Sequence, residues 1–542
     1  MEIAICFALA LFISSVLVPV SIRIAPRLGL VDQPDDDRKI HENPIPRCGG
    51  LAIIFAVFLP IIFYVDDATS YSGLLFGALV IALFGFLDDR YNLSYKWKFI
   101  GQALGVFIFL SSDFDINKTP FFGLGDVTPI LSYTVLAFFI LGVTNAVNLT
   151  DGLDGLAAGS SLLGLGFLAY LSFFYGEIAI TLILVTVMGS ILGFLRFNTH
   201  PATVFMGDAG SQFLGYLAAC LAILVTQAET TAVSPVLALI IVGIPVLDTL
   251  MVMILRIKSG HSPFFPDRQH IHHQLLDLGL KHYQAVAVLY LLNFILLTIA
   301  YFSMYMSDII LLIVYIIFCF STIITIKLFS KSSLIIKDIE MDSNRERRNL
   351  FLRRLSWFHS KGGIYIQCLL ILVWTILIWP ISDQPFFIGF LSISIFLLSI
   401  LGFLNINKSI ILSRVVLYSL SVIAIYAGIY DQSSVPIDLT ESILLVDVIF
   451  AFLVVILALC IRVTRREYFR LNTQDILVLL ILVSSTALVV GFDSSSLILN
   501  SAIRLAIMLY AAEFIINRSS DIRLTLIFSI LITSVISLNC FL

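Results

Sequence analysis

What most limits this chain is the repetition of apolar runs, each close to the length that crosses a bilayer. A hydrocarbon core of about 30 Å needs roughly 20 apolar residues in a helix. Eleven such runs lie near 3–22, 49–65, 71–87, 99–112, 130–147, 157–175, 177–195, 212–227, 234–255, 284–304 and 309–327. Seven more follow near 363–381, 386–404, 411–429, 443–461, 475–491, 497–516 and 524–541. Run length and the lack of period-2 alternation predict helices rather than strands. Of the 542 residues, 59% are hydrophobic and 13% charged, against about 45–50% and about 25% in soluble domains. A soluble surface cannot be covered on that composition. The expected fold is all-α, an integral membrane bundle of eighteen spans, eleven plus seven.

The net charge of −4, from 32 Lys and Arg against 36 Asp and Glu, argues against a broad nucleic-acid surface. Seven cysteines without a CxxC pair, most of them inside apolar runs, argue against a disulfide framework or a thiolate zinc site. Orientation follows from basic residues, which collect on the cytoplasmic side. With the N-terminus outside, the even-numbered, external connections hold one basic residue, Lys118, whereas the first cytoplasmic loop carries Arg23, Arg27, Arg38, Lys39 and Arg47. Met1 and Glu2 lack the cationic start of a cleaved signal, so the first run is expected to stay as an anchor.

The polar motifs follow odd-numbered spans, so on the charge argument all of them reach the cytoplasmic face. Asp88-Asp89-Arg90 ends the third, and Asn148-Leu149-Thr150-Asp151-Gly152-Leu153-Asp154-Gly155 follows the fifth. Gly207-Asp208-Ala209-Gly210-Ser211 follows the seventh, and the ninth leads into Pro266-Asp267-Arg268-Gln269-His270-Ile271-His272-His273. Asp88, Asp89, Asp151, Asp154 and Asp208 then share one face, and like charges held close need a cation between them. Oxygen donors of this kind suit Mg²⁺ or Mn²⁺, with waters and substrate phosphates completing the shell. Lys39, Lys98, Lys258 and Arg268 are available to neutralise phosphate oxygens. The glycines allow tight turns and close backbone approach to a phosphate. These parts suit phosphoryl transfer, where catalysis is mainly positioning and charge neutralisation.

Each motif has a plainer reading. An Asp pair at a helix end can be a solvated terminus, and Asp-Gly is common turn chemistry. Asp151 and Asp154 share a face only if their segment is helical. Five of the eight histidines fall between His261 and His282; a polar loop or a zinc site would also use them, but without a Cys partner phosphate contact or proton transfer fits better. His272 and His273 are expected to act as cationic donors toward a diphosphate. Asp248, beside Pro245 in the ninth run, is either a functional intramembrane acid or part of a bent helix end reaching the interface.

Four stretches occur in order: Asp88 to Ser94, NAVNLTDGLDGLAAG at 145–159, FNTHPATVFMGDAGSQFLG at 197–215 and PDRQHIHHQLLDLGL at 266–280. With LVDQPDDDRKIHENPIPRCGG at 30–50, they resemble the polyprenyl-phosphate N-acetylhexosamine-1-phosphate transferases over residues 1–327. The His-Ile-His-His form is similar to the WecA/TagO-like branch rather than to MraY. The resemblance implies transfer of N-acetylhexosamine 1-phosphate, GlcNAc-1-phosphate above all, from a UDP-sugar to undecaprenyl phosphate, with release of UMP. It also implies Mg²⁺ dependence and a cytoplasm-facing cleft in a bacterial inner membrane. By matching position, Asp208 is the expected metal ligand with Asn148 beside it, and Asp154 faces the nucleotide base. Asp88 and Asp89 resemble the pair near the lipid phosphate, with Asp88 the favoured proton acceptor. Lys39, Lys98, His270, His272 and His273 match phosphate or sugar contacts; Asp151 matches an important acid whose role stays open, as does the choice between direct attack and a covalent route. A transporter or an inactive scaffold are the rival classes. Transporters place their sites near the midplane, and a scaffold has no need of five acids and the His motif.

Beyond residue 327 the resemblance ends. Residues 328–362, with Arg345, Arg347, Arg348, Arg353 and Arg354, read as a basic cytoplasmic linker. Residues 363–542 read as an additional multi-span region whose role (assembly, lipid handling or an activity of its own) stays open, as does a homodimer. Arg504 is its one central charge, with an ion pair to Asp447 expected. Every assigned motif precedes residue 283, and helices satisfy their own backbone hydrogen bonds in lipid. A chain ending at Ser330 is therefore expected to insert and keep measurable transferase activity, while 363–542 alone inserts and transfers nothing. UMP release from the two fragments at matched membrane levels checks this; a well-folded but inactive first fragment, revived only by the second, contradicts it.

Overall fold

The computed structural model describes residues 2–32, 44–65, 69–112, 129–260, 262 and 269–331, then 356–378, 386–404, 448–457, 523–541 and short pieces between them. Lys39, Arg268, most of the linker and the span expected at 475–491 lie outside the described residues. The described residues form two compact units, one holding the helices up to Lys331 and the other those from Ser356 onward.

In its described residues the first unit is mainly helical, with one short antiparallel strand pair. Its long helices are α1 (Glu2–Leu28), α2 (Gly49–Tyr64), α3 (Ser72–Tyr91), α4 (Tyr95–Leu110), α5 (Pro129–Thr150), α6 (Leu156–Phe174), α7 (Ile178–Asn198) and α8 (Gly207–Gln227). After them come α9 (Leu237–Ile241), α10 (Gly243–Lys258), α11 (Ile271–Asp277), α12 (His282–Ser303) and α13 (Asp308–Lys331). Among the described residues, eight helices are long and apolar enough to cross a membrane. The chain is a multi-pass membrane protein.

Three boundaries differ from the sequence expectation. Helix α8 begins at Gly207, not near 212, so Asp208 sits in its first turn. The ninth apolar run is two helices, broken at Val242 (φ −96°, ψ 19°). Gly243 sits too close to its neighbours for a side chain, since a Cβ there would meet Leu296 and Tyr315 carbons at 2.7 Å. The Tyr315 hydroxyl donates to the Gly243 carbonyl at 2.8 Å, tying the start of the second helix to α13. Third, residues 151–155 form a turn, so Asp151 and Asp154 are not stacked on a helix face.

Helix α8 is the centre of the unit, buried along nearly its whole length and packed on α2, α3, α5 and α6. Lipid supplies no hydrophobic force between helices, so close packing depends on small residues that let backbones approach. A Cβ on Gly50 would lie 2.5 Å from the Gly210 Cα, and one on Gly85 2.6 Å from the Ala209 Cα. On the α5 side, one on Gly215 would lie 2.8 Å from the Thr144 Cα. Three neighbouring helices thus meet α8 at glycine contacts. A brace joins its start to α2: β1 (Val31–Asp32) pairs antiparallel with β2 (Ile45–Pro46), Phe205 N donates to Pro46 O, and Gly49 and Gly50 N–H donate to the Phe205 and Met206 carbonyls. Arg47 forms an ion pair with Asp32 in the same brace.

The second unit packs helices Ser356–Ile378, Phe386–Leu404 and Arg523–Phe541 with shorter stretches around the buried Trp374, Leu417, Leu420 and Phe514. Ser529 donates to Ser399 across two of its helices at 3.1 Å. The Arg504 guanidinium lies 5.7 Å from the Phe450 ring centre; Asp447, its expected partner, is outside the described residues.

Two glycines test the packing account. Gly50→Ala should cost about 1–3 kcal/mol through overpacking and lower the melting temperature in detergent. Gly142→Ala, in a helix with open space at that Cβ, should leave it unchanged or raise it, since Ala gains about 0.5–1 kcal/mol over Gly in a helix. Equal effects of the two would contradict the close approach on α8.

Candidate active site

The end of the first unit where α3 and α5 finish and α4 and α8 begin gathers the polar motifs. Asp88 and Asp89 occupy the last turns of α3, which closes at Asn92 in a left-handed conformation (φ 50°). Lys98, in the first turn of α4, places its Nζ 2.5 Å from Asp88 Oδ2 and 3.0 Å from Asp208 Oδ2. One ammonium therefore bridges two acids contributed by different helices. Gln212 Nε2 donates to the same Asp208 oxygen at 3.1 Å. Gln212 is held in turn by Gln102 at 2.9 Å, and Gln102 accepts from Asn145 at 2.8 Å, an amide chain buried across α8, α4 and α5.

Asp89 is engaged differently. Its two oxygens accept the Asp208 and Ala209 backbone N–H groups at 2.9 and 3.0 Å. These are donors left over at the start of α8, and a carboxylate there complements the helix dipole. The helix is capped by an acid from α3 rather than by its own preceding residue. Gly207 (φ +73°) makes room for it, because a Cβ there would sit 2.6 Å from Asp89 Oδ2. Asn148, near the end of α5, accepts the Ser211 hydroxyl at 2.7 Å on Oδ1.

A second group surrounds the turn after α5. Asp154 Oδ2 meets His200 Nδ1 at 2.7 Å and accepts the Ala202 N–H at 3.1 Å. Asp154 N–H donates to His282 Nε2 at 3.2 Å, and the His200 and His282 rings stack 4.1 Å apart. These three side chains are close enough to hold a metal ion, with candidate ligand atoms within 4.8 Å of one another. Hydrogen bonds already use the His282 lone pair and the Asp154 oxygen, so the trio is accounted for as the lock of the turn. Asn198 Oδ1 and the Tyr290 hydroxyl clamp Gly155 from either side, at 3.0 and 2.6 Å.

Burial pushes the Asp151 carboxyl up to about 7, with the Asp208 and Asp154 charges adding to it. An acid at that value exchanges a proton near neutral pH.

The histidines form the third group. His270 Nδ1 lies 2.9 Å from Asp248 Oδ2. The His272 ring stacks 5.5 Å from His270 and 4.3 Å from His273. A Cβ on Gly152 would meet His272 Nε2 at 2.6 Å, so the histidine segment and the 151–155 turn touch only because residue 152 is glycine. Burial lowers His272 to about 3. At neutral pH it is uncharged, which corrects the cation expected from the sequence. His200, Asn198, Gln212 and the pairing of Asp248 were not singled out as site residues beforehand. Three of them lie inside quoted motifs, but only the fold assigns their partners.

The family model described as glycosyl transferase family 4 matches residues 71–226, the stretch from α3 through α8. A probable undecaprenyl-phosphate N-acetylglucosaminyl 1-phosphate transferase of Bacillus subtilis is 40% identical over 298 residues, 54% of this chain and 83% of the relative. An undecaprenyl-phosphate alpha-N-acetylglucosaminyl 1-phosphate transferase of Escherichia coli K12 is 30% identical, over 60% of this chain and 91% of the relative. A decaprenyl-phosphate N-acetylglucosaminephosphotransferase of Mycobacterium leprae is 33% identical, over 49% and 75%. The chain belongs to this family of membrane transferases.

The state of His272 has a measurable consequence. Its folded pKa lies below the ordinary value of 6.5, so below about 6.5 the unfolded chain binds a proton that the folded one refuses. Its contribution to stability is therefore complete above about 6.5 and is lost as pH falls toward about 3. On going from about pH 7.5 to about pH 5, His272→Gln should lose less melting temperature than the unaltered protein. Identical acid sensitivity of the two would contradict the neutral, buried ring.

Proposed function

We propose that this protein transfers N-acetylglucosamine 1-phosphate from UDP-N-acetylglucosamine to undecaprenyl phosphate, releasing UMP, at the cytoplasmic face of a bacterial inner membrane. The observation that carries the proposal is the pair Asp88 and Asp208, brought from α3 and α8 onto one lysine at a helix-rich end. The activities named for the three relatives support it, and their common sugar favours N-acetylglucosamine over another hexosamine. The first unit is read as the transferase; residues 328–362 join it to a second membrane unit whose role stays open.

The donor set fits a hard divalent cation, Mg²⁺ or Mn²⁺. Asp88 Oδ1 is buried without a hydrogen-bond partner, Asp208 lies close by on the same lysine, and Ser211 orients the Asn148 oxygen. Asp208 and Asn148 would hold the ion, with Asp88 beside them. Bound there, such an ion neutralises diphosphate oxygens and favours departure of UMP.

The chain's own groups supply the rest. Lys98 balances phosphate charge, and the same role is proposed for Lys39 and Arg268, which lie outside the described residues. Asp88 accepts the proton or orients the attacking lipid phosphate. Asp89, with both oxygens on backbone N–H groups, holds Asp208 in place rather than meeting substrate. Asp154 faces the nucleotide base, its Oδ2 fixed by His200 and Ala202. Asp151 serves the donor side as a proton-exchanging group, and His270, His272 and His273 as phosphate-contacting groups.

UMP release from purified protein, given a panel of UDP-sugars and undecaprenyl phosphate with and without Mg²⁺, tests the reading. Asp208→Asn should abolish transfer while the protein still folds, because an amide cannot balance the cation. Asp88→Asn should lower kcat by about 10²-fold or more with little change in donor KM. Near-normal turnover of Asp208→Asn would overturn the metal assignment; loss of donor binding in Asp88→Asn would exchange the two roles.

A further inference from the structure

Asp248 is one of the most enclosed acids in the first unit, 5% exposed, and no part of the reaction described above uses it. It lies in the second turn of α10, just past the break at Val242, where Tyr315 fixes the start of the helix. Its two oxygens do different things. Oδ1 accepts the Ile271 N–H at 2.7 Å, and Oδ2 meets His270 Nδ1 at 2.9 Å. The first bond has a fixed polarity, because a backbone N–H can only donate. The second is a contact between a carboxyl oxygen and a ring nitrogen, and a carboxylate oxygen there calls for a proton on Nδ1. His270 is 6% exposed and His272 3%, and the stacked His272 ring limits rotation of the His270 ring.

We propose that Asp248 is the positioning residue of the histidine segment. It locks His270 in the Nδ1–H tautomer, so that Nε2 presents its lone pair to a phosphate, and it anchors the first N–H of α11, which carries His272 and His273. The proton that Nε2 takes is the acidic one of a phosphate P–OH; no other bond changes, and the carboxylate behind the ring balances the resulting imidazolium. This rests on the transferase reading for the identity of the phosphate, but the tautomer itself does not.

Asp248→Asn separates this from a packing role. The amide is nearly the same shape, yet Ile271 N–H still requires an oxygen. The Asn oxygen therefore faces Ile271 and its NH₂ faces His270, which forces Nδ1 to become the acceptor and moves the ring proton to Nε2. The reacting nitrogen is then blocked while the fold is retained.

Two measurements on the full-length protein in nanodiscs decide it. The first is the ¹⁵N spectrum of histidine-labelled protein at about pH 8.5, above the ordinary imidazole range, with His270 identified by the signals missing in His270→Gln. The unaltered protein should show a protonated Nδ1 and a bare Nε2, and Asp248→Asn the reverse. The second is UMP release. Asp248→Asn should reduce kcat about 10²–10³-fold with donor KM held within about twofold. In a His270→Gln background the same change should cost no more than about twofold, because Asp248 acts through His270. An unprotonated Nδ1 in the unaltered protein overturns the proposal even if Asp248→Asn fails to fold. So does a loss on Asp248→Asn that is equally large with and without His270. Absence of UMP release from the unaltered protein would instead overturn the transferase reading, leaving the spectrum to judge the tautomer.

Discussion

The site depends on two hydrogen bonds from the first turn of α8 to the Asp89 carboxylate. They satisfy donors that every helix leaves over at its start, and charge-assisted bonds of this kind contribute about 1.5–3 kcal/mol each. Their geometric effect matters more than their energy. They tie the end of α3 to the start of α8, and so bring Asp88 and Asp208, far apart in sequence, onto the same lysine. Gly207 and Gly85 have no side chain that would keep α8 from its capping acid or from α3, which carries it, and Gly50 lets α2 approach the first turn of α8.

Five carboxylates at one end of a membrane bundle would repel one another if all were free and ionised. The fold answers this residue by residue. Asp89 accepts two backbone N–H groups, Asp154 bonds to His200 and the Ala202 N–H, and Asp88 and Asp208 share Lys98. Asp151 keeps its proton through much of the neutral range. In the proposed reading, Asp208 and Asn148, with Asp88 beside them, supply the oxygens for a cation, in keeping with the one or two carboxylates that Mg²⁺ ordinarily takes when phosphates complete its shell.

Much of this was legible in the sequence, because hydropathy runs and the placement of basic residues are local signals. Parity of the spans alone brought the DD, DGLDG, GDAGS and HIHH motifs to one face. The failures are also physical. The polar start of α8, Gly207 to Gln212, reads as loop, and it is helical because an acid from another helix caps it. The break in the ninth run is hidden by its unbroken apolarity; only the fit of Gly243 against Leu296 and Tyr315 exposes it. His272 was expected as a cation because burial of a polar segment cannot be read from its composition. Partners such as His200 with Asp154 and His270 with Asp248 stand 46 and 22 residues apart, beyond the reach of any helical period. The Asp89 cap is the same kind of contact: two neighbouring acids of identical type receive opposite duties from the elements packed on them.

In the reading proposed here, Asp208 and Asn148, with Asp88 beside them and Asp208 held by the Asp89 cap, take a single divalent cation. Direct binding of Mn²⁺ to the purified full-length protein, followed by electron paramagnetic resonance as free Mn²⁺ disappears, tests it without reference to turnover. The account predicts saturation at one Mn²⁺ per chain, competed by Mg²⁺, and loss of that binding in Asp208→Asn at unchanged melting temperature. Undiminished binding in Asp208→Asn would contradict it.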